Sequence, residues 1–429
     1  DDQFDAIVVG AGCAGAVAAY RLASAGRSVL VVERGNYAGA KNMTGGRIYT
    51  HALARVFPDF EGSAPLQRRI THEKISMAAP DALFTMDFTA DELRESGKDS
   101  YAVLRGPFDQ WLAERAEEAG ADFIYGIAVE DLIVRDGRVC GVVAGGDEVE
   151  ARITVLADGA NSLLAQKAGL ADDVPLPCQM AVGAKETIAL PPSVIEDRFL
   201  CAPGEGAAWM FAGDCTKGRV GGGFLYTNDD SISLGLVATL SDLAAGDVPI
   251  YQMLEDFKQR ADIAPLVKGG ELVEYSGHLV PEGGLAMVPR LYGDGVLVCG
   301  DAAMLCMNLG YSVRGMDFAV SSGDLAADAV MRALEADDVS AAQLAAYEQL
   351  LDGCYVLQDL KRFRRFPRYM EETTRIFNEY PAMARDIMLN LFKVDGHPQA
   401  RIKDKLLGPL KRVGLWRVAQ DGRKGMKAL

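Results

Sequence analysis

Asp5-Ala6-Ile7-Val8-Val9-Gly10-Ala11-Gly12-Cys13-Ala14-Gly15 is the stretch that decides how this chain folds. The apolar run is of the kind that makes a buried parallel strand. It leads through three glycines into a helix-like segment from Ala16 to Ala25, which Gly26 stops. Ser28-Val29-Leu30-Val31-Val32 then makes a second strand, ending at Glu33. Strand, glycine turn, helix, strand and acidic terminator form a complete dinucleotide fingerprint. Gly10 permits the tight turn, Gly12 lets the backbone approach a pyrophosphate, and Gly15 lets helix and strand pack closely. The helix N-terminus offers amide hydrogens and partial positive charge to phosphates. Glu33, placed 18 residues past Gly15, can accept hydrogen bonds from an adenosine ribose. A fingerprint this near the start of the chain is expected for FAD rather than NAD.

Outward from that stretch, 429 residues suffice for two or three domains with full cores. A hydrophobic share of 49% with 24% charged residues describes a soluble globular protein. No apolar run reaches the ~18 residues of a membrane-spanning helix, and no signal peptide is expected. The eight cysteines form no C-x-x-C pair and there are four histidines, so no metal or iron–sulfur ligation is expected. Scattered thiols suit a cytoplasmic location. The net charge of −16 argues against nucleic acid, but it is uneven. Residues 361–429 carry 17 Lys/Arg against 7 Asp/Glu, and the other 360 residues carry 27 against 53.

Gly39 to Tyr49 reads as a loop opening into a helix, where Gly45 and Gly46 would let backbone approach a flat ligand. Residues 71–90 read as short strands of a separate sheet. A helix runs from Leu104 to about Ala119 with Pro107 in its first turn. Strands follow at Asp122–Tyr125, Val129–Val134 and Val139–Val143, the last two joined by an Asp136-Gly137 hairpin. Ile153 to Leu156 is a buried strand ending at Asp158-Gly159. From about 178 to 288 longer alternating strands predict an antiparallel sheet: Ala181–Ala189, Ala207–Phe211, Val220–Tyr226, Ser231–Thr239 and Glu271–Val280, with a helix over Ile250–Ala261. Parallel character returns at Val296 to Asp301, before a long helix from Arg314 to about Leu334 and a mainly helical remainder.

Gly10/Gly12/Gly15 with Glu33, Arg105-x-x-Phe108-Asp109, Ala157-Asp158-Gly159 and Gly300-Asp301 together resemble glutathione-reductase-type flavoproteins of the hydroxylase and geranylgeranyl-reductase branch. Three further segments narrow the likeness: Lys41 to Tyr49, Tyr275 to Gly284 with its Pro281-Glu282-Gly283-Gly284 turn, and Leu309-Gly310 with Arg314-Gly315-Met316-Asp317. They resemble the electron-transfer flavoprotein:quinone oxidoreductase family, FixC type, over nearly the whole chain. The expected fold is α/β: a glutathione-reductase-type FAD-binding Rossmann domain (1–75, 100–177 and 285–340), an inserted antiparallel β-sheet domain (76–99 and 178–284) and a helical basic C-terminal region (341–429).

The resemblance implies non-covalent FAD, with Arg105 near the diphosphate and ribose, Val129 offering backbone to adenine, and Asp301 holding the ribityl chain. Asn308 to Gly315 and the following helix N-terminus would sit at the flavin pyrimidine, where the dipole favours negative charge on the reduced ring. Arg34, Lys41, Gly45, Gly46, Asp158, Gly159, Gly300, Gly310, Arg314, Gly315 and Met316 complete the implied cofactor contacts. Gly283 and Gly284 would approach a quinone carbonyl through backbone amides, and Tyr275 and His278 are proton-donor candidates with structural roles as the alternative. The single-chain members of the family end in a ferredoxin-like domain with a cysteine-ligated [4Fe–4S] cluster. This sequence has only Cys354 after residue 306 and cannot ligate one. The FixC type works instead with a small separate ferredoxin-like subunit, so the implied partners are that subunit, the electron-transfer flavoprotein α and β subunits, and a quinone.

Lys361 to Arg368 and Lys403 to Arg417 mix basic and large apolar residues. Three readings stand: an interfacial segment at the cytoplasmic face of an anionic membrane, a docking face for an acidic electron carrier, or a helix packed on the flavin domain with a solvated face. Rival functions are a geranylgeranyl-reductase-like prenyl reductase, hinted at by Ala208-Trp209-Met210-Phe211, an NAD(P)H-dependent aromatic hydroxylase, and a flavin-binding scaffold subunit.

Overall fold

The computed structural model describes residues 3–42, 46–171 and 174–429. Two sheets organise it. In the first, five strands lie parallel in the order Asp122–Tyr125, Val29–Glu33, Phe4–Val9, Asp147–Leu156, Val296–Val298. Val29–Glu33 is buried along its whole length and Phe4–Val9 over its last four residues, as a sheet covered on both faces requires. The dinucleotide helix, Cys13–Ser24, starts three residues earlier than its apolar pattern indicates, because Gly12 itself is the N-cap. It packs on the long helix Met316–Glu335 where a Cβ on Gly323 would lie 2.2 Å from the carbonyl oxygen of Ala14.

Strand Asp147–Leu156 serves three neighbours, Val296–Val298 among them. Its first residues pair with Arg138–Ala144, and Ala151 to Leu156 pair with Phe4–Val9. The hairpin joining Val129–Arg135 to Arg138–Ala144 turns at Asp136 (φ 51°) and Gly137 (φ 80°), both in the left-handed region that a two-residue primed turn demands.

The second sheet has nine strands and is mixed, not purely antiparallel. Arg69–Ala79 lies parallel to Glu205–Gly213, while the other pairings are antiparallel. These two strands come from distant segments, so no hairpin forces them to run in opposite directions. The strands Met180–Ala189, Gly221–Thr227, Ser231–Thr239 and Glu271–Pro281 lie where their alternation places them. Residues 71–90 form one long hairpin, Arg69–Ala79 with Ala82–Phe88, and the expected cut at 75/76 falls inside its first strand. Gly46–Tyr49 is a strand paired with Ser100–Val103 rather than a loop, and the helix begins at Thr50. Met43, Thr44 and Gly45, and with them the Gly45 contact, lie outside the described residues.

One face of this sheet packs on the helices Pro192–Phe199 and Ile250–Lys258 around Trp209, Phe211, Leu234 and Phe257. The opposite face carries Ile70, Ala208, Phe224 and Tyr226. The C-terminal helices anchor through Phe366, which joins the main core, and are cross-tied where Arg375 donates to both oxygens of Asp421 (2.7 and 2.8 Å).

Candidate active-site cleft

A single cleft of about 1290 Å³ runs from the glycine loop, between the two sheets, to the C-terminal helices. Its phosphate end is built by close packing. A Cβ on Gly10 (φ 99°) would fall 2.4 Å from the carbonyl oxygen of Ala157, and one on Gly15 would fall 1.9 Å from that of Gly10. These two glycines are dictated by the fold. Gly12 is different: among the described residues its Cβ would meet nothing nearer than 3.8 Å, where the Arg105 guanidinium and the Asn42 amide stand. A diphosphate fits the space that the described residues leave at Gly12.

Arg105 is held there by Asp109, one turn on, through Nε (2.9 Å) and Nη2 (2.8 Å). Asp109 is fully buried and also accepts from Asn42 Nδ2 and Cys13 Sγ. Burial works against the Arg105 charge, but Asp109 more than offsets it, so the guanidinium stays firmly protonated. Burial pushes the Cys13 thiol up, so it is no nucleophile. Glu33 accepts the amides of Ala11 (2.8 Å) and Gly35 (2.6 Å), which fixes both carboxylate oxygens at the edge of the loop. Each oxygen keeps a lone pair for a sugar hydroxyl. Arg34, Val129, Asp158 and Gly159 line this end. Asp158 accepts from Ser162 (2.7 Å), and burial raises its pKa to about 6.

Further along, Asp301 follows Gly300 (φ 62°), whose amide donates to Ser322 and whose Cβ would lie 2.8 Å from that of Ala14. Burial raises the Asp301 pKa against the pull of Arg105 and His278. Burial lowers that of His278, which lines the cleft as a neutral imidazole. Lys41, Gly46, Gly310, Gly315 and Met316 complete this wall, and the helix starting at Met316 has no side-chain cap. Its first amides are therefore open to a ligand.

The matching family models are the FAD dependent oxidoreductase family over residues 5–95 and the ETF-QO/FixC family C-terminal domain over residues 366–429. Protein FixC of Escherichia coli (strain K12) is 50% identical over 429 residues, covering 100% of both chains. YdiS of the same strain, a probable electron transfer flavoprotein-quinone oxidoreductase, is 50% identical over 431 residues at the same coverage. The chain belongs to the ETF-QO/FixC family. It is an FAD-dependent oxidoreductase of electron transfer. A geranylgeranyl bacteriochlorophyll reductase-like protein from Thermoplasma acidophilum shares the fold, with a TM-score of 0.72, 18% identity, and coverage of 98% of this chain and 99% of that one.

Within this ETF-QO/FixC member several of the expected site residues are placed differently from the rest. Arg314 backs the cleft rather than lining it. Its guanidinium is bound to Asp317 and to Asp359 (2.8 Å) and packs over the rings of Phe318 and Tyr355 at 4.7 and 4.8 Å. Tyr275 points outward and is 52% exposed, because positions 275 and 278 of one strand fall on opposite faces. Gly283 lines the cleft, but its amide donates to Met287 Sδ (3.1 Å), while the Cβ position of Gly284 (φ 61°) faces Pro367. Trp209 lies in the opposite core, donating to Ser76 Oγ (2.7 Å), so the wall residues of that segment are Met210 and Phe211.

Two residues escaped the sequence reading. Lys185 is fully buried, its Nζ has no hydrogen-bond partner among the described residues, and burial pushes its pKa down to about 7 against the pull of Glu274. The charged pair Lys185-Glu186 within a largely apolar strand was the available signal. Glu282 stood inside the Pro-Glu-Gly-Gly turn, yet only its glycines drew attention.

Proposed function

We propose that this chain takes electrons from an electron-transfer flavoprotein, through a small ferredoxin-like [4Fe–4S] subunit, and passes them to a membrane quinone. The carrying observation is the continuity of the cleft. It leads from the phosphate end at Gly12 and Arg105, past Asp301 and Met316, to an apolar stretch lined by Met210, Phe224, Phe366 and Phe377. FAD, when bound non-covalently along the first part, supplies the two-electron chemistry. The chain's own work is to cradle the diphosphate at Gly12, hold Arg105 through Asp109, and present an apolar slot to the acceptor. The nucleotide side is read as a glutathione-reductase-type domain (1–75, 100–177 and 285–340), with 76–99 and 178–284 as the acceptor-side sheet and 341–429 as the helical region.

At the far end, Arg364 and Arg368 flank the cleft mouth. Phe392 (78% exposed), Ile402 (68%) and Trp416 (75%) stand on the same helical region. Basic charge with exposed apolar side chains supports contact with an anionic membrane at its cytoplasmic face, or docking of the acidic iron–sulfur subunit. Among the described residues no helix is long and apolar enough to cross a membrane.

The reading is tested by anaerobic bleaching of the flavin in the purified chain. Reduced electron-transfer flavoprotein with its iron–sulfur partner should bleach it, and a short-chain quinone should restore the colour. Rapid bleaching by NADPH alone, with quinone inert, would move the protein to hydroxylase or prenyl-reductase chemistry. The apolar slot favours the prenyl substrate as the second reading.

A further inference from the structure

Glu282 occupies the turn that ends the edge strand Glu271–Pro281, against the loop Met307 to Arg314. Its main-chain amide donates to the carbonyl of Gln179 (2.7 Å), which holds the turn in place. Its carboxyl lines the cleft and accepts from Asn308 Nδ2 (3.3 Å), whose Oδ1 in turn accepts the amide of Gly310 (2.8 Å). Among the described residues no ammonium or guanidinium bonds to it. The Cys306 thiol nearby is buried and held protonated, in part by the negative charge of Glu282 itself, and so offers that carboxylate no compensating charge. A carboxylate in such a place lacks the partners a desolvated anion needs, whereas a carboxylic acid is at ease. The other acid–base candidate of this wall, His278, is neutral, and Asp301 is answered by Arg105.

We propose that Glu282 is the acid that completes quinone reduction. This inference rests on the quinone reading above. The quinone receives two electrons and one proton from the reduced flavin, and its second proton from the Glu282 O–H. The Glu282 O–H bond breaks as the new quinol O–H bond forms, leaving oxidised flavin, quinol and a carboxylate that regains a proton from solvent. Burial pushes the Glu282 pKa to about 7, which leaves the acid form populated at neutral pH.

The test uses the full chain with FAD bound, photoreduced and then mixed with a short-chain quinone between about pH 5.5 and 8.5. Wild-type reoxidation should slow as pH rises through about 7. Glu282→Gln should lower the rate about 100-fold at low pH and flatten the profile. Glu282→Asp, which keeps the acid, should recover part of the rate. Infrared difference spectra of the wild type should show a protonated-carboxyl stretch that titrates away near the same pH and is missing in Glu282→Gln. A Glu282→Gln chain that is folded, flavin-loaded and as fast as wild type with the same profile overturns the proposal and leaves the quinone reading intact. A wild type that quinone cannot reoxidise overturns both, and absence of the infrared band overturns the role of Glu282 alone.

Discussion

The phosphate end of the cleft is made largely by one unbroken stretch, Phe4 to Glu33, whereas its apolar end is assembled from residues as distant as Ile75, Met210, Phe224, Glu282 and Phe377. The first works through backbone: amides of a helix start and glycines that let two main chains touch. The second works through side chains, and which of them face the cleft depends on strand register across a nine-stranded sheet. The two ends should therefore break differently when mutated.

Arg105→Ala should have the largest effect. It strips the buried Asp109 of its cation and is expected to cost ~3 kcal/mol of stability besides weakening FAD, read by chemical denaturation and flavin titration. Lys185→Met tests the interior of the second sheet. Folded Lys185 titrates at about 7, and an unfolded lysine near ~10.4. Burial of its charge is fully costly below pH about 7 and costs nothing above about 10, so wild-type stability rises with pH through that window. The methionine variant should gain ~1–4 kcal/mol at pH 6, fading toward pH 10 in thermal melts. No gain at low pH would mean that the amine has a partner in solution.

Gly15→Ala and Gly12→Ala sharpen the contrast within the fingerprint. The first puts a methyl where 1.9 Å is available and should cost ~1–3 kcal/mol of apoprotein stability. The second should leave the apoprotein melt unchanged and weaken FAD at least about tenfold, ~1.4 kcal/mol. Equal destabilisation by both would dissolve the distinction. Tyr275→Phe should change stability and quinone reoxidation by less than ~0.5 kcal/mol, since the ring faces solvent.

Legibility in the sequence follows the same division. The fingerprint, the Asp136-Gly137 hairpin and the alternating strands from 180 to 281 were readable because each depends on residues near in sequence. Gly46–Tyr49 was not readable as a strand, because four residues owe their conformation to pairing with Ser100–Val103. The parallel pairing of Arg69–Ala79 with Glu205–Gly213 had no local trace either. Among site residues, Glu33, Arg105, Asp158 and Asp301 were legible through their motifs. Arg314 was legible as a position but not as a side chain, since Asp359, the second acid that claims it, lies 45 residues away.

By itself the sequence determined the dinucleotide strand–turn–helix, the acidic terminator and the charge contrast of the C-terminal sixth, because φ preference, helix dipole and composition act over a few residues. Only the tertiary structure decided that, among the described residues, Gly12 stands over open space while Gly10 and Gly15 do not, that His278 faces the cleft while Tyr275 faces solvent, and that Lys185 is buried without a hydrogen bond and Glu282 without a bonded cation. Each of these depends on which distant atoms close around the residue, and packing and desolvation are properties of that enclosure.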